Sequence, residues 1–282
     1  MVATRDNSVI FEQTSIDTLD TAVLRLSNGQ TLSAHTVLDA RGAAAVNGPC
    51  GYQKFYGEEI TLSEEHGLTS PIVMDATVEQ CDGFRFMYVL PLTTRSALFE
   101  DTSFSNGPEL DEQERHQRIA TWLQKNGLKA ITVDRCERGV LPMPMSTASL
   151  TRLQRQKKTT HLQKGGYRGG WFNPSTGYSL PLAAELAEIV ATTPLVNLPL
   201  AITAATHIRR RRARFCYFLN RLLFQWYRPN TRRNIFERFY RLPKATIERF
   251  YSMRLLPIDK IRIIPVGLVF PSRKSNRFTG SS

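Results

Sequence analysis

Cysteine is scarce and unpatterned in this chain. The four residues, Cys50, Cys81, Cys136 and Cys216, show no C-x-x-C or related spacing, which argues against a disulfide framework or a cysteine zinc site and suits a reducing, cytosolic compartment. The five histidines, His35, His66, His116, His161 and His207, stand singly, so no metal site is expected. The opening MVATRDNSVIFEQ lacks the basic and apolar regions of a secretory signal. The most apolar later run, LAEIVATTPLVNLPLAIT, is interrupted by Glu188, Pro194 and Pro199 and makes a poor spanning helix. The chain therefore reads as cytoplasmic, either soluble or peripheral to a membrane. Missing too are a G-x-S-x-G nucleophile elbow, a P-loop and the G-x-G-x-x-G that opens a dinucleotide-binding sheet.

What is present suffices for a core: 41% of the 282 residues are hydrophobic, enough for one large domain or two smaller ones. Charge is lopsided. Residues 1–200 hold eighteen Lys/Arg against twenty-two Asp/Glu, whereas residues 201–282 hold nineteen against three. The density peaks in RRRRAR, Arg209 to Arg214. Such a segment faces nucleic acid, an anionic membrane surface or solvent. No nucleic-acid-binding motif accompanies it, so a nucleic-acid partner is not expected.

Residues 9–42 read as β, with VIFEQ followed by AVLRLSNGQTLSAHTVLDARG, in which Asn28-Gly29 is a hairpin signal. TVLDARG ends an apolar run on Gly42, either a strand presenting its backbone to a cofactor or an ordinary strand and turn. QKFYGEEITL, SPIVMDATV, FRFMYVLPL and SALFEDTSF predict further strands, and KAITVDRCERGVLPM another. Residues 109–126 place Ile119, Trp122 and Leu123 on one face behind an acidic first turn, the pattern of a surface helix. GGYRGGWFNPSTGYS then leads into the helical LPLAAELAEIV. A glycine-rich turn of this kind either offers free N–H groups and a positive dipole end to a ligand or merely turns the chain. Beyond residue 201 the pattern is helical, basic and aromatic, with ERFY at Glu237 and again at Glu248, separated by Pro243. Two short helices of similar design are predicted there.

SALFEDTSF is odd for a strand, because it carries adjacent carboxylates, Glu100 and Asp101. Phe84, Phe86 and Tyr88 alternate along one strand face, where they either line a binding tunnel or pack a core.

In order and spacing, HGLTSPIVMDATVEQCDGFRFMYVLPLTTRSALFEDTSF, RGVLPMPM and GGWFNPSTGYSLPLA closely resemble the lycopene cyclases, in particular their bacterial β-cyclase branch. DARG and RFYRLP also sit where that family has counterparts, and the likeness runs over about residues 20–265. The resemblance implies an α+β protein of α/β flavoprotein type. A partial FAD/NAD(P)-binding Rossmann-like domain without its first βαβ unit would occupy 1–50. A mixed-sheet substrate domain would follow at 51–150, the FAD-binding glycine-rich loop and helix at 151–200, and a basic helical region at 201–282. Because the family carries the dinucleotide fingerprint upstream, the chain reads as N-terminally truncated, and this chain alone is expected to leave lycopene uncyclised.

The same resemblance implies FAD in its reduced form, NAD(P)H as reductant, lycopene as substrate and a membrane surface as partner. The reaction it implies is a non-redox isomerisation that closes ψ-ends into β-ionone rings, giving β-carotene via γ-carotene. Glu100 is the implied acid, with Asp101 sharing or relaying its proton or accepting a hydrogen bond, and Asp75 orienting substrate or flavin. Gly42, Gly170, Pro174, Thr176 and Gly177 are the implied cofactor positions. Asn173 stands where many relatives have His; it forms hydrogen bonds but does not titrate near neutrality. A related flavoprotein hydroxylase or reductase and a catalytically dead basic surface-binding protein are the competing readings.

Overall fold

The computed structural model describes residues 13–42, 48–146 and 162–267. Most of VIFEQ lies outside them. Strands β1 (Ile16–Leu19), β2 (Val23–Leu26) and β3 (Thr31–Ser33) form a small antiparallel sheet. The expected Asn28-Gly29 turn joins the last two: Gly29 adopts φ +85°, and Asn28 Oδ1 accepts from the Gln30 amide at 3.0 Å. The predicted TVLDARG strand shrinks to β4 (Leu38–Asp39), which pairs in parallel with β10 (Gln163–Lys164).

The main sheet runs in the order β6-β7-β8-β5-β9, formed by β5 (Cys50–Leu62), β6 (Ile72–Asp75), β7 (Phe84–Pro91), β8 (Ser96–Ser105) and β9 (Ala130–Pro144). Every pairing in it is antiparallel, so the mixed sheet expected for the substrate domain is corrected. The parallel pairing lies outside it, between β4 and β10. β8 is central, flanked by β7 and β5, and both its faces are covered.

One face of the sheet packs against helix α1 (Glu112–Lys125). Asp111 caps this helix by accepting the Glu114 amide at 2.9 Å. Ile119, Trp122 and Leu123 bury against Tyr56, Met87, Val89, Ala97 and Phe99, each large side chain contributing roughly 1.5–3 kcal/mol. The other face meets the helical C-terminal region. After the one-turn α2 (Gly166–Gly169) come α3 (Leu180–Thr192) and α4 (Leu198–Arg221), which runs into a π-helical turn at Leu222–Trp226. The short helices α5 (Arg232–Phe239), α6 (Lys244–Tyr251) and α7 (Pro257–Gly267) complete it, and Pro243, where the sequence predicts the break between two short helices, is the N-cap of α6.

Two arginines of the basic segment work inside the protein. Arg232 is fully buried; it donates to Leu223 O at 3.0 Å and Phe104 O at 2.8 Å, and sits 4.8 Å from the centre of the Phe224 ring. Arg209, from RRRRAR, lies over Trp171 at 5.5 Å and donates to Gly169 O at 2.8 Å. Burial pushes both guanidinium groups down to about 10. Among the described residues no helix is long and apolar enough to cross a membrane.

Candidate active site

Between the sheet and the helical region lies a cavity of about 850 Å³. Alternation along each strand decides which side chains reach it. The face that carries Tyr88 and Leu90 on β7, Glu100 and Phe104 on β8, Gln53 on β5 and Leu141 on β9 forms one wall. The helices supply the opposite wall, largely apolar, from Leu219, Leu223, Phe236, Phe239 and Phe250.

Two carboxyl groups line this space. Glu248 is exposed and stands 3.8 Å from Lys244. Glu100 is partly buried on the sheet wall, where Thr102 Oγ1 donates to its Oε1 at 2.5 Å. Burial pushes the Glu100 carboxyl above the usual carboxylate range. The Thr102 hydrogen bond and Arg115 oppose that rise without reversing it, while the charges of Glu137 and Asp101 reinforce it. Tyr88 is the registered cross-strand neighbour of Glu100, and burial together with that carboxylate pushes its phenol up as well.

Asp101 is not in the cavity. It follows Glu100 on a strand, so it points to the opposite face, fully buried, where Arg85 donates to Oδ2 at 2.6 Å and Arg115 to Oδ1 at 2.6 Å. Of the parts expected for it, sharing or relaying a proton with Glu100 or accepting hydrogen bonds, the geometry has the second: its oxygens accept from two guanidinium groups. Asp75 is likewise directed away from the cavity. It accepts from the Thr77 amide at 2.9 Å and hydroxyl at 2.6 Å and from Trp122 Nε1 at 3.1 Å. Burial alone raises its carboxyl, but those hydrogen bonds outweigh it and hold the group below the usual range.

Of the three alternating aromatics, Tyr88 reaches the cavity; Phe84 and Phe86 are packed behind its wall with Phe104, and Phe236 stacks on Phe84 at 4.2 Å. Sequence reasoning missed Tyr178, Tyr240 and Tyr251, which also line the cavity. The two ERFY copies held the signal, since Tyr240 and Tyr251 are their matching positions. The turn at Pro243 brings these hydroxyls to 2.5 Å from one another, and Tyr178 meets the Tyr251 ring edge-on at 6.0 Å.

Of the expected cofactor positions, Thr176 and Gly177 line the cavity and Pro174 lies just before them. Gly177 has φ +70°, and a Cβ there would stand 2.7 Å from Gln53 Oε1 and 3.1 Å from Tyr167 Oη, so glycine is required. Of the two alternatives for the loop, free amides or a plain turn of the chain, these amides follow the second: those of Ser175, Thr176 and Gly177 all donate to Asn173. Asn173 also donates to Phe250 O at 2.8 Å and is wholly buried, a holding role that needs an amide and no titration. The first-turn amides, which have no acceptor within a helix, fall at Ser179 and Leu180, both on the cavity wall. Gly42 and Gly170 lie away from the cavity. Gly170 caps α2 at φ +71°, beside Arg209, and Gly42 is exposed beyond Asp39, whose buried carboxylate holds Arg41 at 2.9 Å.

The sequence profile of the family described as "Lycopene cyclase protein" matches residues 4–278. The lycopene β-cyclase of Pseudescherichia vulneris is 40% identical over 245 residues, covering 86% of this chain and 63% of that protein. That of Pantoea ananas is 37% identical, covering 90% and 67%. The chain thus spans about two thirds of the length of these relatives. In three dimensions the chain is similar to a geranylgeranyl bacteriochlorophyll reductase-like protein from Thermoplasma acidophilum, with a TM-score of 0.53 at 12% identity over 90% of this chain and 64% of that one. That likeness concerns the fold alone. With the profile match across nearly its whole length and bacterial relatives at this identity, the chain belongs to the lycopene cyclase family.

Proposed function

We propose that this chain carries the substrate site of a lycopene β-cyclase, with Glu100 as its acid. The observation that carries the reading is a carboxyl raised by burial on the wall of an otherwise largely apolar cavity. A hydrocarbon offers no polar handle, so its protonation needs an acid that stays protonated near neutrality and a site that excludes water. The Glu100 O–H gives its proton to the terminal double bond of the ψ-end, breaking that π bond to form C–H at one carbon and leaving a tertiary carbocation at the other. The neighbouring double bond attacks that centre and closes the ring. Loss of a different proton to the Glu100 carboxylate then restores the acid and leaves the β-ionone ring, with no net oxidation or reduction.

Tyr88, Tyr178, Tyr240 and Tyr251 line the same space. Their ring faces stabilise a cation through the quadrupole without acting as nucleophiles as strong as water. A reduced flavin bound here supplies a negatively charged ring that favours a nearby cation. Thr176, Gly177 and the Ser179–Leu180 helix start would hold it, with Pro174 just before them, and NAD(P)H would reduce it. Lycopene dissolves in bilayers, and apolar side chains at this cavity are themselves exposed: Val73 and Leu180 line it, and Trp226 precedes the lining residue Tyr227. Together with the basic helices, they suit a cytoplasmic protein that docks on a membrane surface.

The test is turnover by this chain completed with the segments of the Pseudescherichia relative that it does not span. Lycopene is expected to become β-carotene with catalytic flavin and no stoichiometric loss of NAD(P)H or oxygen. Stoichiometric consumption of either favours the hydroxylase or reductase reading instead.

A further inference from the structure

The cavity face of the sheet holds a second acidic side chain beside Glu100. One row crosses four strands: Tyr88 on β7, Glu100 on β8, Gly57 on β5 and Glu137 on β9, each the registered partner of the next. Gly57 puts no side chain into this row. A Cβ built there would stand 3.3 Å from Glu137 Cγ and 3.4 Å from Glu100 Cβ, so the two glutamates close over the gap from either side. Glycine inside a strand costs roughly 0.5–1 kcal/mol relative to alanine. Here its backbone is not in the left-handed region, and the close approach of its neighbours is what favours it.

We propose that Glu137 is a positioning residue for the Glu100 carboxyl, acting across Gly57 to keep that group in its acid form and to connect it with the edge of the sheet. The inference rests on the reading of Glu100 as the acid. A neighbouring negative charge disfavours ionisation of a carboxyl group, the more so the less solvated that group is. Glu137 stands at the open side of the row: β9 is an edge strand, its side chain is 33% exposed, and Arg135, which also pairs with Glu59 at 3.1 Å, lies 3.2 Å from Oε2. The other groups that act on Glu100 do not take its place. Thr102 donates a hydrogen bond, Tyr88 flanks it as a neutral phenol with Tyr178 and Tyr251 behind, and Asp101 and Arg115 act from the far face, where they pair with one another. The Glu137 charge raises the Glu100 carboxyl, in keeping with the geometry.

Carboxyl-carbon NMR on the whole chain with labelled glutamate tests this directly, with the Glu100 signal assigned by its loss in Glu100→Gln. The Glu100 titration midpoint is expected to move down in Glu137→Gln and to stay near the original in Glu137→Asp. It is expected to move up in Arg135→Gln, where the counter-charge on Glu137 is gone. An unchanged midpoint in folded Glu137→Gln overturns the proposal. Should that variant fail to fold, the exposed Arg135→Gln decides, and no upward movement there overturns it. The titration needs no turnover. It therefore fails separately from the acid assignment, which falls if Glu100→Gln still cyclises lycopene.

Discussion

The two faces of the main sheet treat neighbouring carboxyl groups differently. On the α1 face Asp101 is enclosed with Arg85 and Arg115, and both its oxygens are occupied by charged donors. On the cavity face Glu100 has a hydroxyl partner, Thr102, and among the described residues no salt bridge, and burial works against its charged form. What the adjacent layer brings to the strand therefore decides the setting of each carboxyl: the same sheet builds an ion-paired anchor on one side and a carboxyl raised by burial on the other. Asp101 ties the strand that presents Glu100 to Arg85 and to α1 through Arg115.

The sharpest way to break this comparison is Asp101→Ala. It leaves two buried guanidinium groups without their carboxylate and is expected to cost about 3–5 kcal/mol of stability, read as a lowered urea midpoint. Glu100→Gln is expected to stay within about 1 kcal/mol of the original in the same assay. Tyr251→Phe removes the hydroxyl that meets Tyr240 while keeping the ring, and is expected to cost about 1 kcal/mol. Tyr251→Leu removes the ring as well, and its added loss of turnover over the Phe variant measures the aromatic face.

The finest test is the pH dependence of stability. Between the ordinary glutamate range and the raised value of Glu100, the folded chain holds a proton that the unfolded chain has released. Stability from this group therefore falls as pH rises through that interval and is level above it. The decline should be smaller in Glu100→Gln, as followed by denaturation at a series of pH values, and an identical profile contradicts the assignment.

Much of the scaffold was legible because its signals are local. Periodicity placed β7, β8, α1 and the paired short helices, and Asn28-Gly29 placed its hairpin. The antiparallel register was not legible, since it depends on β5 passing between β8 and β9, far apart in sequence. Adjacent residues on a strand must diverge, so the separation of Glu100 from Asp101 followed from the sequence. Which of the two meets a cavity did not, because Arg85 and Arg115 reach Asp101 from different elements. Glu137 was hidden for the same reason: it stands beside Glu100 only because Gly57 leaves space between them. TVLDARG shows the reverse case, an apolar run that promised a strand and pairs over just two residues.

Carotenoid analysis of lycopene-accumulating cells carrying Glu100→Gln, in the chain joined to the segments of the Pseudescherichia relative that it does not span, tests most directly whether Glu100 is the acid. The predicted result is lycopene left uncyclised while the protein accumulates, stays folded and retains flavin. β-Carotene at the level produced by the unsubstituted protein would contradict the account.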